Sequence, residues 1–374
     1  MVDRTPKSGK RGENMLSQCD HAAKSDTQSM SEIDRRKREH LDVILSGAAT
    51  PAGATTGLEH VRFEHNALPE LKMADIDLST SFLGRSFRAP LLVSSMTGGP
   101  ERSAQLNLNI AEACNALGLG FGVGSQRIAL EGGGDAGFGP ELRRAAPNAL
   151  ILANFGAGQL KSWNGPDMAR RAVEMIGADA LIIHLNPLQE AVQAMGDTDW
   201  SGVCKALAKI SQQCDFPIIV KEVGAGISAP VAKRLLETGV AAIDIAGLGG
   251  TSWSAVEAAR APTTHQRVVA EAFRDWGIPT AQALMAVRAA CPAIPLIASG
   301  GIRTGIDCAK TIRLGADLTG VAAGVLPSAV ESADAISDYL STLIDQLRIT
   351  CFCTGSANLA ALRQAPLINL QMPA

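Results

Sequence analysis

The sequence predicts an α/β protein built as a single (β/α)8 TIM barrel that follows a polar N-terminal extension. From residue 90 onward, a short apolar strand, a glycine-rich or polar turn and an amphipathic helix recur at spacings of about 25–35 residues. A doubly wound open sheet is the alternative, but eight consecutive right-handed units favour the closed barrel. The expected strands are Pro90–Met96, Leu119–Ser125, Leu150–Phe155, Leu181–Leu185, Ile218–Val223, Ala242–Ala246, Leu296–Ser299 and Leu318–Ala322.

The chain divides into three parts by composition. Residues 1–30 are polar and lack a hydrophobic period, so we expect a disordered leader. Residues 31–89 are expected to form an N-terminal segment that covers the mouth of the barrel. Residues 90–374 contain the barrel, and one long gap, between Ala246 and Leu296, predicts an excursion over one of its ends.

Composition argues against several classes of protein. A hydrophobic content of 46% in 374 residues is sufficient for a large core, and a net charge of −3 offers no general attraction for nucleic acid or anionic lipid. No apolar run approaches the roughly 20 residues that a membrane-spanning helix needs. The eight cysteines are scattered and form no CxxC pair, which predicts a reduced, cytoplasmic protein.

The loop after the fourth predicted strand has the strongest chemical signal. The strand that ends near Ile183 is followed by His184, Asn186, Gln189 and Glu190 within seven residues. A structural turn requires glycine, proline or asparagine, but not this combination of imidazole, amides and carboxylate. Because parallel α/β proteins place their chemistry at the carboxyl ends of strands, this loop predicts an enzyme.

Two further strand ends indicate an anionic cofactor. Gly300-Gly301 followed by Arg303, and then Ala322-Ala323-Gly324, fit a phosphate site after strands seven and eight. Lys221 ends an apolar strand, where a buried ammonium requires an anion such as a cofactor or the neighbouring Glu222. The alternatives are that the glycines only permit sharp turns and that the lysine only makes a salt bridge.

The residues that follow the leader are basic. Arg35-Arg36-Lys37-Arg38-Glu39-His40 opens a helix-like stretch that ends near Leu45. Such a run is usually a solvated helix face, but it could also fold over the barrel mouth and hold a diphosphate.

Taken together, these segments resemble the type 2, flavin-dependent isopentenyl-diphosphate isomerases. The resemblance extends from about residue 31 to the C-terminus. The matching segments, in family order, are Arg36-Lys37-Arg38-Glu39-His40, Ser95-Met96-Thr97-Gly98-Gly99, Gly124-Ser125-Gln126-Arg127, Asn154-Phe155-Gly156, residues 184–190, Val220-Lys221-Glu222-Val223-Gly224, Gly249-Gly250-Thr251-Ser252, Trp276-Gly277-Ile278-Pro279-Thr280 and Ala298-Ser299-Gly300-Gly301.

The resemblance implies an FMN-dependent barrel that interconverts isopentenyl and dimethylallyl diphosphates in isoprenoid biosynthesis. It implies reduced FMN as the active cofactor, NAD(P)H as reductant, Mg2+, and a homo-oligomer, either a tetramer or an octamer. The substrate is a small-molecule diphosphate, and neither nucleic acid nor membrane is an expected partner. Flavin N5, Gln189 or a water could make each proton transfer.

The resemblance also assigns site residues. Gln189 and His184 are the expected catalytic residues, and Glu190 is the expected metal ligand. The expected substrate-binding residues are Arg36, Lys37, Ser125, Gln126, Arg127, His184, Asn186, Gln189 and Ser252. The expected FMN-binding residues are Ser95, Met96, Thr97, Ser125, Asn154, Lys221, Thr251, Gly300, Gly301, Arg303, Ala322 and Ala323.

Two other functions remain open at this point. An FMN-dependent 2-hydroxy-acid oxidase would share the barrel and its cofactor loops, but it needs a His-Gly-x-Arg element. The nearest candidate, His265-Gln266-Arg267, lacks that pattern. A barrel that binds flavin or phosphate without catalysis would have no need of Gln189 or Glu190.

Overall fold

A computed structural model describes Met1 and residues 39–95, 100–132 and 137–368. The predicted leader therefore lies outside the described residues, together with Arg36, Lys37, Met96 and Thr97. The fold is a closed barrel of eight parallel strands in the order β10-β3-β4-β5-β6-β7-β8-β9, which confirms the barrel over the open sheet. Its strands are β3 Leu91–Val93, β4 Gly120–Gly122, β5 Ile151–Gly156, β6 Ala180–Leu185, β7 Ile218–Glu222, β8 Ala242–Asp244, β9 Leu296–Ala298 and β10 Leu318–Val321.

Helices surround the barrel and also follow several of its strands. The described part of the first helix, α1, covers residues 39–45. The others are α2 Pro100–Leu117, α3 Arg127–Leu130, α4 Glu141–Ala145, α5 Gly165–Ile176, α6 Pro187–Val192, α7 Val203–Gln213, α8 Ala229–Leu236, α9 Trp253–Arg260, α10 Thr264–Glu271, α11 Thr280–Ala290, α12 Gly305–Arg313, α13 Leu326–Glu331, α14 Ala333–Cys353 and α15 Leu359–Leu362. Short 3-10 helices occupy Leu58–His60, Met73–Asp75 and Ala157–Lys161. Within these described elements, no helix combines the length and the apolar composition that crossing a membrane requires.

The apolar residues of each strand are divided between two layers of core. In β5, Ile151, Ala153 and Phe155 belong to the large cluster that packs against the helices, whereas Leu152 belongs to a smaller cluster. This division follows from the two-residue period of a strand, which turns alternate side chains to opposite faces. Strands buried on both faces therefore read as the continuous apolar runs that the sequence shows.

A hairpin closes the amino-terminal end of the barrel. Strands β1 (Thr80–Phe82) and β2 (Arg85–Phe87) pair antiparallel, and Phe82 and Phe87 belong to the smaller cluster with Leu92 and Leu152. The segment 31–89 was expected to cover the mouth, but the structure divides it: residues 80–87 lie at the opposite end because their two phenylalanines fill the barrel interior there.

A charged clamp joins β5 and β6 at this same end. Asp179, which immediately precedes β6, accepts hydrogen bonds from the backbone amide of Ile151 at 2.9 Å and from Arg143 Nη2 at 2.7 Å, and it also pairs with Arg85. Arg143 Nε donates to the carbonyl oxygen of Gly177 at 2.9 Å. The Asp179–Arg143 pair thus fixes the starts of β5 and β6 and the end of α5.

The same arrangement recurs four strands further around the barrel. Asp317 precedes β10 and accepts from the backbone amide of Leu296 at 2.9 Å and from Arg288 Nη2 at 2.8 Å. Arg288 Nε donates to the carbonyl oxygen of Gly315 at 2.8 Å. Both clamps are charge-assisted and reach backbone groups that would otherwise lack partners.

We expect Asp179→Ala to lower the free energy of unfolding by about 2 kcal/mol, because it leaves a backbone amide and an arginine without their acceptor. Urea denaturation of the wild type and the variant measures the change. Asp75→Ala is the matched control, since Asp75 pairs with Lys72 where both side chains are at least 70% exposed; it should change stability by less than about 0.5 kcal/mol. Equal effects of the two substitutions would contradict the clamp.

Candidate active site

A cavity of about 460 Å³ opens at the carboxyl ends of the strands. Its wall comes from the ends of β3, β7, β8, β9 and β10, and from Ile44, Ala49 and Thr50 of the N-terminal segment. Eight of the twelve residues expected to bind FMN line it: Ser95, Lys221, Thr251, Gly300, Gly301, Arg303, Ala322 and Ala323. Met96 and Thr97 lie outside the described residues, and Ser125 and Asn154 belong to the neighbouring strand ends rather than to this wall.

One wall of the cavity is a row of backbone donors. The amides of Gly300, Gly301, Ala323 and Gly324 donate no hydrogen bond to any of the residues that the structure describes. Gly301 has φ +73°, and a Cβ there would meet the carbonyl of Gly249, so only glycine brings this amide to the wall. Unpaired amides that converge beside an arginine, here Arg303, form a concave anion site.

Two buried hydroxyls also lack partners. Ser94 Oγ and Ser95 Oγ are inaccessible to solvent, line the cavity and form no hydrogen bond among the described residues. A buried hydroxyl without a partner costs about 1–3 kcal/mol. Their position at the end of β3 suits a polar ligand that fills the cavity, and together with the amide row they fit FMN.

Lys221 carries the positive charge of the cavity floor. Its Nζ donates to the carbonyl oxygen of Glu222 at 2.6 Å, and in the strand register it lies between His184 and Asp244. The Glu222 carboxylate, which the sequence offered as its partner, instead accepts from the four consecutive amides of residues 223–226. Lys221 Nζ thus has one backbone acceptor. Its remaining N–H groups are available to an anionic ligand in the cavity.

Asp244 is the buried acid on the neighbouring strand. Ser299 Oγ donates to its Oδ1 at 2.6 Å, while Oδ2 is buried without a hydrogen-bond partner among the described residues. Burial raises the pKa of Asp244, and the charge of Lys221 opposes that shift. The Lys221 ammonium that lines the cavity therefore has a buried carboxyl group beside it on the neighbouring strand.

His184, at the end of β6, is held in one orientation by the strand before it. Its Nδ1 lies 2.8 Å from Asn154 Oδ1, and Asn154 Nδ2 donates to the carbonyl of Val123. That second bond fixes the amide orientation, so Nδ1 carries the proton and Nε2 is left as an acceptor. Burial, aided by the charge of Lys221, lowers the pKa of His184 to about 3, so the imidazole is neutral near pH 7.

Gln126 supports this arrangement from behind. The side chain is fully buried; its Nε2 donates to the carbonyl of Ala172 and its Oε1 accepts from the amide of Asn154. It was expected to bind substrate, but both ends of its amide are used within the wall. In the structure it positions Asn154, which in turn positions His184.

The amides and carboxylate at the start of α6 form a second hydrogen-bonded group. Asn186 Nδ2 donates to Gln189 Oε1 at 3.1 Å and to Glu190 Oε1 at 2.9 Å. A small recess that Gln189 lines shares Val223, Gly224 and Trp253 with the large cavity. Gln189 therefore lies next to the space assigned to the cofactor.

Glu257 is a buried site residue that the sequence did not single out. This buried carboxylate accepts from Gln189 Nε2 at 3.0 Å, contacts His40 Nε2 at 3.0 Å and accepts from Arg260 Nη1 at 2.8 Å. Burial alone would raise the pKa of Glu257, but His40, Gln189 and Arg260 leave it lowered. The carboxylate is thus charged and joins α1, α6 and α9; no local pattern could reveal partners 68 and 217 residues away.

Glu190 and Arg127 both contact Asp197. Glu190 Oε2 accepts from the backbone amide of Asp197 at 2.7 Å, and Arg127 Nη1 lies 3.4 Å from Asp197 Oδ2. No group of three or more histidine, cysteine or acidic side chains gathers in the described chain as a metal site would need.

Ser252 was expected to bind substrate, and the structure shows its hydroxyl already engaged. It caps α9 by accepting from the amide of Ala255, and it donates to the carbonyl of Arg274 at 2.7 Å. Its own amide donates to the carbonyl of Ala49 at 2.7 Å. The residue thus anchors residues 49–50 over the cavity.

Comparison with known proteins identifies the family. The FMN-dependent dehydrogenase family model matches residues 165–369. An isopentenyl-diphosphate delta-isomerase of Stutzerimonas stutzeri is 59% identical, over 91% of this chain and 99% of that protein. The chain belongs to the isopentenyl-diphosphate delta-isomerase family. Other isomerases of the family are 56% identical in Xanthobacter autotrophicus, over 90% of this chain and 98% of that protein, and 48% identical in a Synechococcus strain, over 91% and 97%.

Solved structures support the fold but not an oxidase. A mandelate oxidase solved with (S)-mandelic acid aligns with a TM-score of 0.62 at 18% identity, over 91% of this chain and 98% of that one. Such a distant likeness shows the shared barrel alone. His265 and Arg267, the nearest sequence candidates for an oxidase element, are exposed on α10 and do not line the cavity. The isomerase family, with FMN as its cofactor, therefore stands over the oxidase alternative.

We expect Glu257→Ala to release α1 from the barrel. Hydrogen bonds to charged groups contribute about 1.5–3 kcal/mol, so amide exchange in residues 41–45 should rise about tenfold or more, as measured by hydrogen–deuterium exchange. Glu237→Ala, an exposed substitution at the end of α8, is the control and should leave exchange in α1 unchanged. Unaltered protection in Glu257→Ala would mean that α1 is held by packing alone.

Proposed function

We propose that this chain isomerises isopentenyl diphosphate to dimethylallyl diphosphate, reversibly, beside a reduced FMN. The observation that carries the proposal is the position of Gln189: it lines a recess that adjoins a flavin-sized cavity, and it lies with Glu190 on α6, directly after the end of β6 that bears His184. The oxidases that share the barrel would require a histidine and an arginine facing the flavin instead.

FMN is assigned to the 460 Å³ cavity. The amides of Gly300, Gly301 and Ala323 with Arg303 would hold its phosphate, and Ser95 and Lys221 would hold the ring system. When bound in its reduced form, FMN supplies an electron-rich face and a proton-bearing N5. The Lys221 ammonium would stabilise negative charge on the ring system of reduced FMN.

The diphosphate is assigned to the side of residues 184–190 that faces away from the FMN cavity. His184, Asn186 and Arg127 would contact it, joined by Arg36 and Lys37, which lie outside the described residues. Glu190 would share Mg2+ with its oxygens, and NAD(P)H would reduce the flavin. A diphosphate carries about three negative charges, so several cations and a metal are reasonable partners.

Gln189 is held at both ends of its amide. Its Oε1 accepts from Asn186 and its Nε2 donates to Glu257. An amide is a weak acid and a weak base, so we assign it the tasks of orienting the alkene and relaying a proton, with the buried Glu257 carboxylate behind it. Trp253 and Ile44 of α1 line the cavity, and they would shield from water the cationic character that develops during the double-bond shift.

The activity itself is the first test. Anaerobic incubation of isopentenyl diphosphate with the holoenzyme, NADPH and Mg2+ should form dimethylallyl diphosphate, and omission of FMN, reductant or metal should abolish it. Gln189→Ala should bind FMN normally but lose at least about 100-fold in kcat, whereas the exposed His265→Ala should retain activity. Absence of product from the complete mixture, or flavin reduction by lactate or glycolate, would overturn the proposal.

The lowered pKa of His184 gives a second test. The neutral imidazole has an acceptor at Nε2, so it must gain a proton before it can donate to a diphosphate oxygen. Bound diphosphate should raise the pKa, with proton uptake on binding, and affinity should fall as pH rises through the pKa of the complex. Calorimetry with inorganic diphosphate, in buffers of different ionisation enthalpy at mildly alkaline pH, measures this uptake.

His184→Gln is the matched variant for this measurement, since glutamine can donate to a phosphate oxygen but cannot titrate. Its binding should show less proton uptake than that of the wild type. If the buffer dependence is the same in both proteins, the titrating group is not His184.

A further inference from the structure

The only tyrosine of the chain faces the cavity from α14. Tyr339 lines the same wall as Arg303, Ala323 and Gly324. Its hydroxyl lies against Gly324, where a Cβ would overlap Tyr339 Oη. The side chain therefore depends on glycine at 324 to reach the cavity, and its polar tip is placed at the end where the unpaired amides converge.

The surroundings keep the hydroxyl protonated and without a partner. Burial raises the pKa of Tyr339, with Cys308 and Asp307 adding to the shift and Arg303 opposing it. No described residue forms a hydrogen bond with the hydroxyl. A protonated phenol at the wall of a cavity, half-buried and unpaired, is a donor available to a ligand.

We propose that the Tyr339 hydroxyl donates a hydrogen bond to the phosphate of FMN and so favours FMN over flavins that lack it. The amide row and Arg303 supply backbone donors and charge from the loops after β9 and β10, and Tyr339 adds a side-chain donor from the following helix. Neither the strand-end motifs nor the family resemblance assigned this residue. A tyrosine kept for packing alone would place its ring, not its hydroxyl, against the wall.

Tyr339→Phe tests the assignment because it removes only the hydroxyl. The protein freed of flavin is titrated with FMN and with riboflavin, and quenching of flavin fluorescence gives each Kd. A hydrogen bond to a charged acceptor predicts that FMN binding weakens about tenfold or more while riboflavin binding is unchanged. Thr342→Ala is the control: its hydroxyl, on the same helix, is exposed and bonds only to the carbonyl of Asp338, so neither affinity should change.

Titration with both FMN and riboflavin distinguishes the ways in which the proposal could be wrong. The inference rests on the proposal that FMN occupies this cavity, and wild-type protein that binds neither flavin would overturn that placement. Normal binding of both flavins by wild type and by Tyr339→Phe would overturn the role of Tyr339 alone. Equal weakening of FMN and riboflavin would mean that the substitution disturbs the cavity, and this too would reject a phosphate contact.

A measurement on the wild-type chain avoids any effect of substitution on folding. Because there is one tyrosine, protein labelled with 13C at the tyrosine Cζ gives a single resonance. FMN should shift this resonance strongly, since Cζ bears the hydroxyl, and riboflavin should shift it much less. Equal responses to the two flavins would contradict the proposed hydrogen bond.

Discussion

The candidate site depends on one buried carboxylate. Glu257 joins His40 of the first helix, Gln189 of the β6–α6 loop and Arg260 of its own helix. A charge in the interior is costly unless each of its lone pairs is used, and here three partners on separate segments use them. The position of the amide next to the cofactor cavity, and the docking of the N-terminal helix, are therefore parts of one hydrogen-bonded unit rather than independent features.

Around Glu257 and its partners, the site contains two sets of residues that are suited to binding anions. The cavity wall from β9 and β10 presents backbone amides and Arg303, a fixed arrangement suited to a cofactor that stays bound. The end of β6 and the start of α6 present a neutral imidazole, amides and Glu190, and the proposed substrate would bind there. Lys221 lies between the two, in register with His184 on one side and Asp244 on the other, and so supplies the charge common to both halves.

The barrel could be predicted because its strands are buried on both faces and appear as apolar runs at regular spacing. All eight expected strands are present, with ends that differ by a few residues. The β1–β2 hairpin could not be predicted, since its three-residue strands contain serine, threonine and arginine, and its two phenylalanines and the Arg85–Asp179 pair attach it to the barrel. Sequence motifs also drew attention to residues without showing which groups they contact. Gln126 and Ser252 belong to family motifs, yet the side chains of both form hydrogen bonds within the protein. Glu257 and Tyr339 were missed because their significance comes from contacts between distant segments.

The two arginine–aspartate clamps have a consequence for how the molecule can change. Both lie at the amino-terminal end of the barrel, where Asp179 and Asp317 tie strand starts to the helices that precede them. The loops that form the cavity lie at the other end. The clamps that hold the strands together and the loops that form the site thus lie at opposite ends of the same strands. We therefore expect that mutations can change the loops while the barrel stays closed.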